Sequence, residues 1–247
     1  MSARPSRGMV LAAGLGTRMG ALSETVPKPL VPVAGKPLIA HVLERLALAG
    51  VAEIVVNTHH LAAQIEALLA DYAARPGTPG IHISREEKRL ETGGGVRQAL
   101  PWLGDDAFYV VNSDVVLAEG SAPALPRLAE AWDGETMDAL LLLCPLARAL
   151  GYAGAGDFFR HEDGRLRRRG KATTAPFVFT GTQLLHPRLF AHAPAGTYSL
   201  NRHYDEALRA DRLFGLVHSG VMLHVGSPAG LEAAERYFAA ERRGESV

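Results

Sequence analysis

Short apolar runs alternate with amphipathic stretches along most of the chain. Residues 8–14, "GMVLAAG", predict a buried strand running into a glycine turn. In "GKPLIAHVLERLALAG", residues 35–50, Leu38, Val42 and Leu46 fall on one helical stripe, with Ile39 and Leu43 beside it. Pro37 suits the first turn of that helix and Gly50 the residue past its end. "VAEIVVNT" is the next strand, and "HLAAQIEALLADYAA" a helix with Leu61, Ile65, Leu68 and Leu69 on its apolar side. "PGTPG" is a turn, "IHIS" a short strand, and "GGGVRQALPWL" a helix starting on glycines. "AFYVVNSD" is a strand ending on a carboxylate, and "DALLLLC" and "PFVFTGTQLL" are further strands.

Strands alternating with helices predict an α/β fold: a Rossmann-like, doubly wound, mostly parallel (mixed) sheet with helices on both faces. Ligands in such sheets bind at the carboxyl ends of strands, where strand order reverses. Two loops occupy such ends, "AAGLGTRMG" and "NSDVV". At 247 residues the chain is expected to form one domain, 1–247, in two halves near 9–120 and 121–238.

Composition narrows the partners. Lys+Arg and Asp+Glu number 26 each, so no net charge favours nucleic acid or a membrane surface. The lone cysteine, Cys144, lies in an apolar run and reads as a core thiol, and no run is long enough to span a bilayer. No apolar signal region follows the first residues, so a cytoplasmic protein is expected. The basic run "RLRRRGK", Arg165 to Lys171, reads as a solvated turn in a hairpin.

The glycine loop carries the chemistry. Glycines between a strand and a helix let backbone N–H groups approach a phosphate. The dinucleotide fingerprint fails, because after Gly14 and Gly16 the next glycine is Gly20, one place late; the P-loop spacing and its lysine are also missing. Arg18 follows the loop, and Lys28 stands between Pro27 and Pro29 on a stiffened segment, a good point charge for a phosphate. Asp114, at the end of an apolar strand, has the right chemistry to hold Mg²⁺ against substrate phosphates.

The stretch "LAAGLGTRMGALSETVPKPLVPVAGKPLI" resembles the signature of the sugar-nucleotidyltransferases, L-A-A-G-x-G-T-R-[ML] followed by P-K-[PA]-[ML]. The resemblance implies a nucleotide-diphospho-sugar transferase fold and a loop wrapped round an NTP triphosphate. Arg18 and Lys28 would hold its charge, with Ala12, Ala13, Gly14, Gly16 and Thr17 lining the nucleotide. "LETGGGV", Leu90 to Val96, is similar to the base-reading segment of the N-acetylmuramate-1-phosphate uridylyltransferases within that family. It implies UTP as donor, with Thr92, Gly93 and Asn112 on the nucleotide and Gly94 on the sugar. "VVNSDVV" resembles the family's metal motif with Ser113 in place of a glycine, which puts Mg²⁺ on Asp114. "GDFF", "FVFTGTQLLHPRLF", "YSLNRHYDEAL" and "NTHH" resemble its sugar side and place Asp157, Gly181, Asn201, Asn57 and His59 there, with Lys171 as a candidate for the sugar phosphate. The implied reaction joins a sugar 1-phosphate to UTP, giving a UDP-sugar and pyrophosphate. No acyltransferase-like C-terminal extension is present, which implies a monomer or weak homodimer.

One position departs from the pattern. Many members carry a second metal-binding aspartate in W-x-D-V-G-T-P, and here "VMLHVGSP" has His224 at that place. Three readings stand: Asp114 carries the ion with water and phosphates, His224 bonds a phosphate or the sugar, or the metal site is weakened. Two alternative functions also stand: a guanylyltransferase acting on a mannose or heptose phosphate, and a non-catalytic nucleotide-sugar binding module. A dinucleotide oxidoreductase is disfavoured, since "VAEIVVNT" ends on Asn57 and Thr58 and not on an acid.

Overall fold

The computed structural model describes residues 4–245. Strand β1 (Arg7–Leu11) leads through the glycine loop and a short helix α1 (Leu22–Thr25) to a small hairpin, β2 (Pro32–Val33) and β3 (Lys36–Pro37). Then come α2 (Leu38–Leu48), β4 (Glu53–Thr58), α3 (Ala62–Ala73), β5 (Gly80–Arg85), α4 (Glu91–Leu103) and β6 (Phe108–Asn112). The second half follows with β7 (Val115–Ala118), α5 (Ala124–Ala131), β8 (Ala139–Pro145), β9 (Ala149–Leu150), β10 (Phe158–Arg160), β11 (Leu166–Arg168) and β12 (Phe177–Leu185). It ends with α6 (Asn201–Arg209), β13 (Leu213–Val217), β14 (Val221–His224) and α7 (Pro228–Arg242).

The main sheet runs β5-β4-β1-β6-β12-β8-β13. Neighbours are parallel except at β12, which is antiparallel to both β6 and β8. Successive residues point to opposite faces. Val10 and Val56 meet Leu46, Ile65 and Leu128 under α2, α3 and α5. Met9 and Val55 meet Val96, Leu103 and Tyr204 under α4 and α6. Both faces are covered, which is why the strands read as continuous apolar runs. A second sheet, β7-β14-β9, is packed against α7 through Val116, Leu223 and Ala234.

The chain leaves β1 toward β4 and β5 on one side and returns to β6 on the other, so strand order reverses at the carboxyl ends of β1 and β6. Next to this point β12 carries a bulge: Phe179 pairs with Leu143 and Gln183 with Leu141, leaving residues 180–182 opposite Leu142. Gly181 has φ +75°, and a Cβ there would stand 2.6 Å from Asn112 Nδ2. Only glycine fits both the backbone and the space.

The expected mixed, doubly wound sheet is present, with β10 and β11 forming the hairpin around the basic run. Two boundaries differ. The α2 helix starts three residues inside the predicted span because Lys36 and Pro37 are used in β3, and α4 begins at Glu91, two residues before the first glycine. Helices α6 and α7 lie outside the predicted elements because each buries few residues: His203, Tyr204 and Ala207 in α6, Gly230 and Ala234 in α7. Among the described residues, no helix is long and apolar enough to cross a membrane.

Candidate active site

A cleft of about 290 Å³ opens at the strand-order reversal, lined by residues 11–18, by Lys28 and Pro29, and by Asn112, Ser113 and Asp114. The loop is shaped by its glycines. A Cβ on Gly14 would meet no atom within 4 Å, so its Cα faces open space. Gly16 sits at φ +66° with its Cα against the Lys28 stem, where a Cβ would stand 3.1 Å from Lys28 Cβ. The chain therefore turns tightly into the turn holding Thr17 and Arg18, and Lys28 is packed behind it.

The centre of the cleft is an ion pair. Lys28 Nζ donates to Asp114 Oδ2 at 2.5 Å, with the two side chains only 12% and 21% exposed. Burial works against the Asp114 carboxylate, but Lys28, supported by His224 and Arg18, outweighs it and holds its pKa below the usual carboxylate value. Ser113 takes the place of a glycine without loss of the turn: its Oγ donates to the Leu11 carbonyl at 2.8 Å and its N–H to the same oxygen at 3.2 Å. This ties the ends of β1 and β6 together.

His224 ends β14 beside this pair. Its Nε2 stands 3.9 Å from Asp114 Oδ2, and its Nδ1–H donates to the Gly151 carbonyl at 3.3 Å. Asp114 and His224 could share one divalent ion, by the chemistry of a carboxylate and an imidazole. Among the described residues no group of three or more His, Cys, Asp or Glu forms a cage by itself.

The expected nucleotide residues Ala12, Ala13, Gly14, Gly16, Thr17, Arg18, Lys28, Thr92 and Asn112 line the cleft together with Asp114. The glycine triplet is packed against protein. Gly93 and Gly94 donate their N–H groups to the Tyr198 carbonyl at 2.9 and 3.1 Å. A Cβ on Gly93 would stand 2.4 Å from the Tyr198 ring, one on Gly94 2.3 Å from the Gly196 carbonyl oxygen, and one on Gly95 2.8 Å from Glu86 Oε1. These glycines seat α4 against the strap at residues 196–198 and against Glu86. Thr92 adds to this by accepting the Leu200 N–H at 2.9 Å.

Asn57 lines the cleft, but it is buried and its amide is engaged by protein. Its Oδ1 accepts the Ala12 N–H at 2.7 Å and its Nδ2 donates to Glu86 Oε1 at 2.7 Å. It braces the glycine loop from the wall of the cleft. His59 donates Nδ1–H to the Glu86 carbonyl at 2.8 Å and lies in a separate depression with Leu61 and Glu87. Asp157, Lys171, Gly181 and Asn201 lie outside the cleft lining. Asp157 accepts from the Phe179 N–H at 2.9 Å and the Tyr152 hydroxyl at 3.2 Å, and Asn201 Oδ1 accepts from Arg168 at 3.1 Å. Both fasten the β10–β11 hairpin region, while Lys171 is exposed.

Three charged cleft residues escaped sequence reasoning: Glu86, Arg89 and Glu91. They lie in "REEKRLE", which reads as a solvated charge run. The available signal was position, since Glu86 is the first residue past β5, at the same sheet edge as Asn57 and Asp114. Glu86 is 3% exposed and also accepts the Leu90 N–H at 2.7 Å. Glu91 adopts φ +62°, a left-handed conformation unusual for a side chain of its size, and pairs with Arg89 at 2.7 Å.

The chain matches known proteins over most of its length. The family model for the MobA-like NTP transferase domain matches residues 8–204. The N-acetylmuramate alpha-1-phosphate uridylyltransferase of Caulobacter vibrioides is 41% identical over 97% of this chain and 99% of its own. The protein of the same name from Neisseria meningitidis is 35% identical over 93% of this chain and 96% of its own. Among solved structures, a UDP-glucose pyrophosphorylase complexed with UDP-glucose superposes with TM-score 0.77 at 18% identity, covering 95% of this chain and 98% of that one. From fold, cleft and these matches together, the chain belongs to the MobA-like NTP transferase family and is a nucleotidyltransferase of its sugar-nucleotide branch.

Proposed function

We propose that this protein transfers a uridylyl group from UTP to N-acetylmuramate α-1-phosphate, giving the UDP-sugar and pyrophosphate. The observation that carries the reading is the Lys28–Asp114 pair set under a phosphate-shaped glycine loop at the β1/β6 strand ends. The relatives of near-equal length that bear this activity's name support the choice of substrates.

The chemistry needs little from the protein beyond placement and charge. A phosphate oxygen of the sugar 1-phosphate attacks the α-phosphorus of UTP, a new P–O bond forms, and the bond to the β-phosphate oxygen breaks as pyrophosphate leaves. The nucleophile is already an anion, so no general base is required. Backbone N–H groups of the loop at Gly14 to Thr17 cradle the triphosphate. Arg18 neutralises the departing pyrophosphate, and Lys28 holds the phosphates in line. Asp114 and His224 would hold a divalent cation, which supplies charge neutralisation at the phosphates when bound. Lys171 and Asn201 are candidates for the sugar side.

The test is pyrophosphate release by the purified protein with a divalent cation, over the four common NTPs and a set of sugar 1-phosphates. Release confined to UTP with N-acetylmuramate α-1-phosphate is expected. Release with GTP and a mannose or heptose phosphate would keep the mechanism and replace the substrates. Nucleotide binding without release on any pair would favour a non-catalytic binding module.

A further inference from the structure

We infer that Glu86 is a positioning residue for the nucleotide: its buried carboxylate ties the glycine loop to the start of α4 and so sets the spacing of two cleft walls. The inference rests on the proposed nucleotide site, whose walls it concerns.

The sheet leaves a gap that this carboxylate closes. Leu11 and Asn57 form the last rung paired between β1 and β4, so the Ala12 N–H lies one residue beyond the ladder. Asn57 Oδ1 accepts it at 2.7 Å. The other end of that amide, Nδ2, donates to Glu86 Oε1 at 2.7 Å. Glu86 Oε2 accepts the N–H of Leu90, the residue before α4, at 2.7 Å. An unbroken chain of three hydrogen bonds thus joins the base of the glycine loop to the helix start.

Its polarity is fixed. A backbone N–H only donates, so Asn57 must turn Oδ1 to Ala12 and Nδ2 to Glu86. Glu86 then meets a donor on each oxygen. A carboxylate accepts on both, whereas the amide of a glutamine accepts on one. Packing shows the same precision. A Cβ on Gly95 would stand 2.8 Å from Glu86 Oε1 and 2.9 Å from Asn57 Nδ2, so a side chain there would wedge into the bond between them. The helix start also needs a holder. Glu91, next after Leu90, adopts φ +62°, a conformation that persists where its surroundings over-determine it. A loop that cradles phosphates loses its effect when displaced by even an ångström or so, which gives this chain its role.

The test is a polarity swap in the full-length protein, read by calorimetric titration of UTP with Mg²⁺ and without sugar phosphate. Glu86→Gln sets an amide against the Leu90 N–H, and Asn57→Asp sets two carboxylates against one another. Each is expected to weaken UTP binding by about tenfold or more, the usual cost of one lost hydrogen bond to a charged group. The double variant restores every bond, because the new amide donates to the new carboxylate and each still accepts its backbone N–H. Its UTP affinity is expected to return to within about threefold of the unaltered protein, since only the place of the charge has changed. Amide exchange of the Ala12 N–H, read without nucleotide, is expected to quicken in both single variants and slow again in the double. Single variants that melt lower but bind UTP as before would make the chain structural only and overturn the inference. A folded double variant that still binds weakly would overturn it too, because the carboxylate at 86 would then be needed for itself, and this result stands even if a single variant fails to fold. If the unaltered protein binds another NTP and not UTP, the substrate reading falls and the same swap is judged with that NTP. Binding of none of the four would overturn both.

Discussion

At the scale of single residues, Asp114 and Lys28 carry the most weight. They neutralise one another in a cleft where each is largely shielded from water, so removing either leaves a charge without its partner. Asp114→Asn is expected to cut turnover by about 100-fold or more, the usual cost of losing one preorganised electrostatic group, with the fold retained by circular dichroism. Lys28→Ala is expected to lose a similar factor and to raise the apparent Asp114 pKa, since Lys28 is the largest influence holding it down. That rise is read as a shift of the acid limb of nucleotide and cation binding toward higher pH. An unchanged limb would show that Lys28 does not govern the carboxylate. Arg18, Lys28 and Asp114 were all legible in the sequence because each stands in a short motif, Asp114 just past the end of β6 and Arg18 and Lys28 in short turns after β1. Glu86 was not, because a buried acid and a solvated one look alike in a charged run, and the side chain it binds, Asn57, is on another strand.

At the scale of elements, glycines decide how loops and helices meet. Gly181 bends β12 around Asn112 with a positive φ. Gly181→Ala is expected to destabilise the protein by about 1–3 kcal/mol, the usual cost of forcing a side chain into such a backbone and space. In a chain of this size that lowers the melting temperature by roughly 2–4 °C per kcal/mol, measured by calorimetry. Gly93→Ala probes a different contact: it is expected to push Tyr198 off α4 and loosen the strap at 196–198, seen as faster amide exchange of the Gly93 and Gly94 N–H groups that bond Tyr198. Unchanged exchange would return the triplet to the role of a ligand-facing surface. The triplet was visible in the sequence, and its physical reason was not. Glycines serve close approach by a ligand and close approach by a neighbouring strap equally well, and only the fold shows Tyr198 in the space. The buried strands were legible because both sheet faces are covered, whereas α6 is polar over most of its length and α7 buries little, so both became visible only in three dimensions.

At the scale of the whole molecule, the histidines set a limit on stability in acid. Burial pushes the pKa values of His41, His186, His203 and His218 down from the ordinary value. A group with a lowered folded pKa stays neutral in the fold while the unfolded chain takes up the proton. The stability from these groups is complete above about pH 6.5, the unfolded histidine value, and is lost as pH falls toward their folded values. Glu119 acts in the opposite sense, because burial raises its pKa. His218 is the best single probe. It is fully buried, donates Nε2–H to the Ala118 carbonyl at 3.0 Å, and would be protonated beside Arg45, Arg127 and Arg148. The melting temperature is expected to fall below about pH 6.5, and His218→Gln is expected to flatten that fall. Equal slopes in the two proteins would assign the acid limb to other groups.

The central claim is that a sugar phosphate oxygen attacks the α-phosphorus of UTP in this cleft. Phosphorus NMR of the products made from a sugar 1-phosphate with heavy oxygen throughout its phosphate tests it most directly. Attack at that phosphorus predicts the heavy isotope in the bridge between the two phosphorus atoms of the UDP-sugar and none in the pyrophosphate. Heavy oxygen in the pyrophosphate, or a UDP-sugar with a light bridge, would contradict it.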